Sequence, residues 1–329
     1  MKAVTYQRVE DSFVLKELAI PVPESEFDVV VKVHAVGLNP VDAKIHLWHQ
    51  TVSHMNDDFV GGLDVSGEIV AVGGAVSEWR IGQRVLYHGD MRRAYGGFAQ
   101  YALQDSRALL PHPAISAEMA AATPCAAWTA YRALVDKLNI AERSSIFIAG
   151  GAGGVGSFAI QLARLFGVHT IITTSSASNH GYVRLLGATD VIDYHQEDVV
   201  QRVMAITAGQ GVEVALDCVG GDNDKIAAAV LGFEGELVEL VKTVNPTEYL
   251  GAFENGLSFH QLSLGSGHIN GELGRATITD AGRSVSYLLE MGELQLPELK
   301  VIELEQIGAA LKALREQHTV GKVVARITH

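Results

Sequence analysis

A glycine-rich segment in the middle of the chain carries the clearest chemical signal. Gly151, Gly153 and Gly156 have the spacing G-x-G-x-x-G, with the apolar run Ile146–Ala149 before them and a helical apolar pattern from Gly154 onward. In that context the first glycine permits a tight turn, the second lets a diphosphate approach the backbone, and the third allows close helix–strand packing. Amides at the helix start then bind the diphosphate. The segment predicts a dinucleotide site, although a glycine-rich turn without a ligand has the same composition.

The end of the next predicted strand indicates which dinucleotide binds. NAD-binding turns place Asp or Glu about 20 residues further on, where the carboxylate bonds the ribose 2′-hydroxyl. This chain has Thr173-Thr174-Ser175-Ser176 instead, with no carboxylate. Hydroxyl groups can donate to a 2′-phosphate and do not repel it, so Ser175 and Ser176 favour NADP(H). No Arg or Lys adjoins them, and the nearest basic residues, His180 and Arg184, are equally consistent with a solvated helix surface.

Two kinds of patterning surround this segment. The N-terminal third is β-rich, and closely spaced strands with glycine turns predict a small, partly closed β-barrel. Ser116 is typical of a helix N-cap before an alanine-rich helix. Strands are predicted at Phe27–Gly37, Val65–Gly73, Gly82–Leu86 and Gly97–Ala102.

From Ser145 onward strands alternate with helices, which predicts βαβ units and a parallel sheet. The tail, with a helix at Leu304–Glu316 and a strand at Lys322–Arg326, has no core of its own. We expect it to return to the first domain. The predicted domains are therefore 1–121 with 265–329, and 122–264. Strands of the second domain are predicted at Ser145–Ala149, Thr170–Thr174, Asp190–Tyr194, Val212–Asp217 and Gly235–Val241, with one helix at Val155–Phe166 and a second helix that ends with Gly181–Leu186.

Composition narrows the class of protein. The chain has 329 residues and a formal net charge of −13, which disfavours nucleic acid as a main partner because its phosphates would be repelled. Cys125 and Cys218 could form at most one disulfide, too few for a disulfide-stapled secreted scaffold. The sequence shows neither a signal-peptide pattern nor an apolar run of membrane-spanning length. We therefore expect a cytoplasmic protein with no membrane partner.

Several short motifs, in their order and spacing, resemble the medium-chain dehydrogenase/reductase superfamily in its zinc-independent, quinone oxidoreductase-like branch. The resemblance covers nearly the whole chain. It rests on VGLNPVD at 36–42, GLDVSG at 62–67, TPCAAWTAY at 123–131, AGGVG at 152–156, LGATDVIDY at 186–194 and GKVV at 321–324.

The resemblance implies an α/β chain with a GroES-like β-barrel catalytic domain and a Rossmann, doubly wound parallel-sheet domain, with the active site in the cleft between them. It implies hydride transfer from a nicotinamide to a small electrophile, and with the serines above the predicted function is NADPH-dependent reduction of a quinone, an enone or another reactive carbonyl. It also implies a homodimer, since dimers are common in this family.

By the same resemblance, Asn39 and Thr129 lie near the nicotinamide, and the serines and Tyr194 near the adenosine 2′-phosphate. Lys322 reaches cofactor or substrate, or is equally a solvated residue at a strand start. The predicted cofactor-binding residues are Asn39, Thr129, Gly151, Gly153, Gly154, Val155, Gly156, Ser175, Ser176, Tyr194, Val219, Gly220, Leu264, Ser266 and Lys322.

Zinc is not expected. Zinc-dependent members of the superfamily use sulfur, nitrogen or carboxylate ligands at positions that correspond here to Asn39, Leu63 and Cys125, and only the cysteine can ligate. The segment 89–102 also lacks the cysteines of a structural zinc lobe. A histidine and aspartate cluster in the following loop lacks a known ligand spacing, and we interpret it as a solvated loop: His46, His49, His54, Asp57 and Asp58.

A reductase of this kind needs a proton after hydride transfer, which a side chain or water can supply. Candidate donors are Asp42, His46, Tyr95 and His268; the predicted catalytic residues are Asn39, Asp42 and His268. A structural hydrogen bond that holds its loop is an alternative role for Asp42, and a surface position is an alternative for His268. Two other functions stay open: a zinc-type alcohol dehydrogenase and a non-catalytic, crystallin-like nucleotide-binding protein.

Overall fold

The computed structural model describes residues 1–53, 55, 58–316 and 320–329. The strands are β1 (Lys2–Gln7), β2 (Ser12–Glu17), β3 (Asp28–Leu38), β4 (Phe59–Val60), β5 (Asp64–Val72), β6 (Arg84–His88), β7 (Tyr101–Asp105), β8 (Leu110–Pro111), β9 (Ser145–Ala149), β10 (Thr170–Thr174), β11 (Asp190–Ile192), β12 (Val212–Asp217), β13 (Leu231–Glu239), β14 (Ser258–Gln261), β15 (Leu299–Glu303) and β16 (Lys322–Arg326).

The α-helices are α1 (Pro40–Ala43), α2 (Ala117–Ala121), α3 (Thr129–Tyr131), α4 (Gly154–Leu165), α5 (His180–Leu186), α6 (Val199–Ile206), α7 (Asn223–Ala229), α8 (Gly271–Glu290) and α9 (Ile307–Arg315). The 3₁₀ turns are Ile45–Gln50, Ser106–Ala108, Ile140–Glu142, Ala177–Asn179, Pro246–Glu248, Leu264–Ile269 and Leu304–Gln306, and the π-helical turns are Pro124–Trp128 and Arg132–Lys137. Among the described residues, no helix has the length and apolar character to cross a bilayer.

The chain forms two compact units. Unit 1 comprises Met1–Trp128, Leu264–Gly292 and Glu298–His329, and unit 2 comprises Thr129–Ser263 and Glu293–Pro297.

Unit 1 is built mainly of antiparallel strands. Its larger sheet has the order β15-β16-β3-β5-β6-β8, with β7 also paired to β3, and a smaller sheet has the order β2-β1-β4. The valines of β3 are all buried, including three consecutive ones, as expected for a strand covered on both faces. The C-terminal strand β16 pairs with β3, and Ile307 and Leu311 of α9 join the same apolar core. The tail therefore packs into unit 1.

Unit 2 is a six-stranded parallel sheet of order β11-β10-β9-β12-β13-β14. Counted within the unit, this order is 3-2-1-4-5-6, the doubly wound arrangement in which ligands bind outside the carboxyl ends of the strands at the switch point. The switch point lies between β9 and β12. Helices α4, α5, α6 and α7 form the crossovers between successive strands, as parallel pairing requires.

Several predicted element boundaries differ from the structure. The helix that Ser116 caps, through a bond from the Met119 amide to its hydroxyl, ends at Ala121, and π-helical turns follow it. The predicted strand at 97–102 forms as β7, displaced toward the C-terminus. Hydrophobic alternation indicates where a strand exists, but backbone pairing decides where it starts and stops.

Candidate functional site

In unit 1, three adjacent strands bring Asn39, Asp64 and Lys322 to one end of the larger sheet. Asn39 directly follows β3, where Leu38 is opposite Val323 of β16 and Gly37 is opposite Asp64 of β5. All three side chains are buried. Antiparallel pairing thus places together residues that are far apart in sequence.

The three side chains form one hydrogen-bonded network. The Asn39 amide donates from Nδ2 to Asp64 Oδ2 at 2.9 Å, and its Oδ1 accepts from the Lys322 ammonium. Lys322 Nζ lies 3.7 Å from Asp64 Oδ2. Lys322 is only 4% exposed, so the alternative of a solvated lysine at the strand start is wrong. Its charge is compensated inside the unit, as a buried ammonium requires.

Asp42, a predicted catalytic residue, lies in the first turn of α1 and is fully buried. Its Oδ2 accepts from the Asn39 backbone amide at 2.9 Å, while Oδ1 has no hydrogen-bond partner among the described residues. This contact holds the turn between β3 and α1. Burial, and then the nearby Asp64 carboxylate, raise the pKa of Asp42 to about 7, against the opposing effect of Lys322. Asp42 is therefore partly protonated near neutral pH.

Asp64 is a central member of the network that the sequence analysis did not select. Its Oδ1 accepts from the Cys125 backbone amide at 2.9 Å, so the carboxylate joins β5 to the π-helical turn that contains Cys125. Burial raises the pKa of Asp64 to about 6, although Lys322 acts in the opposite direction. Burial also raises the pKa of the Cys125 thiol, which argues against a nucleophilic thiolate. The signal available in the sequence was an acidic residue within an apolar strand, beside Leu63.

His268, the other predicted proton donor, stacks on His88 in unit 1. The ring centroids are 5.9 Å apart and the ring planes are 15° from parallel. Burial lowers the pKa of both imidazoles, that of His88 to about 3. His88 Nδ1 and His268 Nε2 have no hydrogen-bond partner among the described residues. Both rings are therefore neutral at pH 7, which makes His268 a poor source of an imidazolium proton.

The histidine and aspartate loop is only partly described. His46 and His49 lie on one 3₁₀ turn, where the His46 carbonyl oxygen is 2.7 Å from His49 Nδ1. Asp58 forms an ion pair with Lys16. His54 and Asp57 lie outside the described residues. Among the described residues, no group of three or more His, Cys, Asp or Glu side chains is placed so that it could hold a metal ion. Tyr95 lies on the connection between β6 and β7, where its carbonyl accepts from the Leu103 amide.

In unit 2, the glycine turn joins β9 to α4 at the switch point. Its left-handed residue is Gly150 (φ 80°), one position before the predicted Gly151. A Cβ on Gly151 would overlap Thr173, and a Cβ on Gly156 would overlap the Gly150 carbonyl. Gly153, the N-cap of α4, has an ordinary φ of −77°, and a Cβ there would meet only the Gly150 carbonyl oxygen, at 3.4 Å. Gly153 therefore leaves room for a ligand to approach the backbone.

The first amides of α4 are available to such a ligand. The helix N-terminus has no side-chain cap, and the amides of Gly154, Val155 and Gly156 precede the first intrahelical bond, from Ser157 to the Gly153 carbonyl. The turn is held from the next strand, because Thr174 Oγ1 accepts from the Gly150 amide at 3.0 Å. Thr174 was not among the predicted site residues. The only indication of this role in the sequence was a hydroxyl-bearing residue at the end of a predicted strand.

At the end of β10, Ser175 and Ser176 differ in environment. Ser175 is buried, and its hydroxyl donates to the Ser176 carbonyl oxygen at 3.3 Å. Ser176 is partly exposed, and its hydroxyl lies 3.1 Å from both Ser178 Oγ and Asn179 Nδ2. His180 begins α5 with Nε2 unpartnered within the described part of the chain. Tyr194 is half exposed and its ring lies against His195.

The remaining predicted cofactor residues are distributed over both units. In unit 2, Thr129 is buried at the start of α3, and Val219 and Gly220 form the loop after β12, where their amides donate to Asp217 Oδ1. In unit 1, Leu264 and Ser266 lie on the 3₁₀ turn Leu264–Ile269 that precedes α8.

Comparison with known proteins agrees with this two-part organisation. Residues 25–114 match the family model described as "Alcohol dehydrogenase GroES-like domain", and residues 154–274 match "Zinc-binding dehydrogenase". The chain belongs to the medium-chain dehydrogenase/reductase superfamily and is quinone oxidoreductase-like. Its fold is a GroES-like domain combined with a Rossmann-like parallel-sheet domain.

Individual relatives have related names. A 2-methylene-furan-3-one reductase from Solanum lycopersicum is 35% identical over 269 residues, which cover 75% of this chain and 68% of the relative. A chloroplastic quinone-oxidoreductase homologue from Spinacia oleracea is 37% identical over 186 residues, 54% of this chain and 55% of the relative, so the chain spans about half of that protein. An alcohol dehydrogenase superfamily protein from Novosphingobium aromaticivorans superposes with a TM-score of 0.87 at 28% identity, with all of both chains covered.

The zinc named in one family description does not fit the residues of unit 1. Leu63 has no donor atom, and both ends of the Asn39 amide are engaged by Lys322 and Asp64. The Lys322 ammonium beside Asn39 would repel a divalent cation. Cys125 is the one sulfur donor of the three positions, and burial raises the pKa of its thiol, which opposes metal binding because a thiolate is the ligand.

Proposed function

We propose that this protein is an NADPH-dependent, zinc-independent oxidoreductase that reduces a quinone, an enone or another reactive carbonyl. The observation that carries the proposal is the glycine turn at the switch point of a parallel sheet. There Gly153 leaves the backbone open and the first amides of α4 are uncapped. Such an N-terminus binds a diphosphate through its amides and dipole.

The preference for NADPH rests on the end of β10. The sequence there has no carboxylate to compete with a 2′-phosphate, and the partly exposed Ser176 hydroxyl can bond phosphate oxygens. Tyr194 is proposed to contribute at the adenosine end. A nicotinamide cofactor, when bound, supplies the hydride. The substrate class is supported by the relatives named for quinones and for a furanone.

Without a metal, hydrogen-bond donors must polarise the substrate oxygen. The Asn39 network supports a positioning role for Asn39, because its amide is held at both ends by Lys322 and Asp64. Because Asp42 is fully buried, we propose that it stabilises the loop and does not donate its proton to the substrate. His268 is neutral at pH 7, so we propose that the final proton comes from water. Quinone-type products take a proton from water readily.

The other cofactor assignments are proposals of the same kind. They concern Asn39, Thr129, Val219, Gly220, Leu264, Ser266 and Lys322. We also propose domain boundaries close to the predicted ones, with residues 1–121 and 265–329 in one domain and 122–264 in the other. We place the protein in the cytoplasm, and the two unpaired cysteines are consistent with a reducing compartment.

We also propose a homodimer formed through unit 2. Strand β14 lies at one end of the parallel sheet. The turns that contain Phe233 and Phe253 are joined by a bond from the Glu234 amide to the Asn255 carbonyl. Phe233, Leu250 and Phe253 are each more than three-quarters exposed, and such apolar surface typically marks an interface. Light scattering should give twice the chain mass of 35.2 kDa, and a monomer would refute this part.

The enzyme activity is tested by NADPH oxidation with 9,10-phenanthrenequinone and a panel of enones, with and without a chelator. We expect turnover that the chelator leaves unchanged, and weaker binding of NADH than of NADPH. Loss of activity with chelator, together with stoichiometric metal in the purified protein, would indicate a zinc-type alcohol dehydrogenase. Tight NADPH binding without turnover of any electrophile would indicate a non-catalytic nucleotide-binding protein.

A further inference from the structure

Two acidic side chains end neighbouring strands of the parallel sheet in unit 2. Asp217 is the last residue of β12, Glu239 is the last residue of β13, and the two are register partners. Both are fully buried. Parallel pairing therefore places two carboxyl groups side by side in the interior, at the carboxyl edge of the sheet.

Each carboxyl group folds the loop that follows its own strand. Asp217 Oδ1 accepts from the amides of Val219 at 2.8 Å and Gly220 at 3.1 Å. Glu239 Oε1 accepts from the amides of Val241 at 2.7 Å and Lys242 at 2.8 Å. Each loop is thus hydrogen-bonded to one carboxyl group of the Asp217–Glu239 pair.

These two loops are packed against each other and against the glycine turn. A Cβ added to Gly220 would lie 2.6 Å from a Val241 methyl group, so the loops are in contact. A Cβ added to Gly150 would lie 2.6 Å from a Val219 methyl group, so the loop after β12 touches the turn that begins the dinucleotide site. A change at the carboxyl pair would therefore reach the glycine turn through one layer of side chains.

Acidic groups outnumber basic groups around the Asp217–Glu239 pair. Asp224 of α7 is a third buried carboxylate, and it takes the nearby ammonium, since Lys242 Nζ lies 3.1 Å from Asp224 Oδ2 and also donates to the Gly221 carbonyl. The Tyr249 hydroxyl also donates to Asp224, at 3.0 Å. Strand β14 contributes the uncharged Gln261, which donates to the Glu239 carbonyl.

Glu239 titrates near neutral pH. Burial, and then the neighbouring Asp217 carboxyl, raise the pKa of Glu239 to about 7, against the donation from the Lys242 amide. Burial also raises the pKa of the Cys218 thiol and that of Tyr249, so both stay protonated. Glu239 Oε2 has no hydrogen-bond donor among the described residues, which is the environment expected for an oxygen that carries its own proton.

We propose that Glu239 is a positioning residue for the dinucleotide: it shares a proton with Asp217 and so holds the loops after β12 and β13 against the glycine turn. The proposal rests on the proposed binding of NADPH to that turn. When the proton leaves, two adjacent buried carboxylates repel each other, the loops loosen, and the cofactor binds more weakly. Protonated protein binds the cofactor better, so affinity falls as pH rises through neutrality.

The test is a fluorescence titration of the full-length protein with NADPH between pH 6 and pH 8.5. For the unchanged protein we expect the Kd to increase by about tenfold over this range, equivalent to one unit of pKa difference between free and bound protein. Glu239→Gln cannot ionise and its amide can donate to Asp217, so its Kd should lack this increase. The control Glu254→Gln removes an exposed carboxylate of unit 2 and should follow the unchanged protein. Ionisation of the 2′-phosphate affects all variants equally.

A second variant covers the case in which Glu239→Gln does not fold. Asp217→Asn removes the repelling charge and offers an amide donor to ionised Glu239, so ionisation no longer creates two adjacent carboxylates and the rise in Kd above pH 7 should become smaller. If the variants that fold keep the full pH dependence of the unchanged protein, the positioning role is wrong, although the proposed NADPH binding remains supported. If NADPH does not bind at any pH, the proposed function itself fails, and the positioning role with it.

Discussion

Asn39 and Asp64 are joined by a hydrogen bond of 2.9 Å between Asn39 Nδ2 and Asp64 Oδ2, inside the antiparallel unit. The Lys322 ammonium completes this contact, because it donates to Asn39 Oδ1 and lies 3.7 Å from Asp64. A side-chain amide held at both ends has one orientation. The position that corresponds by family resemblance to a zinc ligand is thus occupied by an amide with both ends engaged by Asp64 and Lys322.

Replacing Lys322 by Met should destabilise unit 1. Asp64 would lose its buried cation and Asn39 Oδ1 its donor, and removing one partner of a buried ion pair costs about 3–5 kcal/mol. Urea unfolding followed by tryptophan fluorescence measures the loss. Lys312→Met, an exposed lysine on α9, serves as control and should change stability by less than about 0.5 kcal/mol. A Lys322→Met protein as stable as the control would show that the network contributes little.

Replacing Asp42 by Asn should flatten the dependence of stability on pH. The pKa of Asp42 is about 7 in the folded protein, above its usual value near 3.9 in an unfolded chain. The folded state therefore binds the extra proton between these values, and this contribution to stability is lost as pH rises from about 4 to 7. Because Asn resembles the protonated carboxyl group, the urea midpoints of the two proteins should differ least below about pH 4, diverge as pH rises to 7, and then run parallel. Parallel curves over the whole range would contradict the raised pKa.

Replacing Gly153 by Ala separates folding from cofactor binding. The new methyl group would meet only the Gly150 carbonyl oxygen, at 3.4 Å, and the backbone φ of −77° is one that alanine adopts readily. We expect a thermal midpoint close to that of the unchanged protein, but an NADPH Kd about tenfold higher, because the methyl group occupies the approach to the α4 amides. Gly181→Ala, with open space around it on α5, is the matched control. Equal Kd values for the two variants would place the diphosphate elsewhere.

Replacing Ser176 by Asp should reverse the choice of cofactor. A carboxylate at the end of β10 repels a 2′-phosphate and accepts a hydrogen bond from a ribose 2′-hydroxyl. The Kd for NADPH should rise by about tenfold or more while that for NADH falls or stays constant. Ser178→Asp, two residues further into the exposed turn, tests whether a negative charge in the neighbourhood is sufficient. Unchanged discrimination in Ser176→Asp would remove the basis for preferring NADPH.

Local patterns were sufficient to predict much of unit 2. Strands β9, β10 and β12 were predicted with the observed bounds, since short apolar runs between helices form buried parallel strands wherever they occur. The glycine turn was also predicted from spacing, because its chemistry uses contiguous backbone. The exception was its left-handed residue: Gly150 and Gly151 are adjacent glycines, and only the surrounding packing decides which of them turns.

The sequence by itself determined the alternating element pattern, the glycine turn, the absence of a carboxylate after β10 and the lack of a donor at Leu63, because each of these depends on residue type at neighbouring positions. Only the tertiary structure decided that Lys322 is buried against Asn39 and Asp64 and that Asp42 accepts from the Asn39 amide in its own turn. Only the tertiary structure, likewise, placed Asp217 and Glu239 side by side at the ends of neighbouring strands. Those relationships depend on strand pairing between distant segments. Burial of charge, and the pKa shifts that follow from it, exist only once that pairing has excluded water.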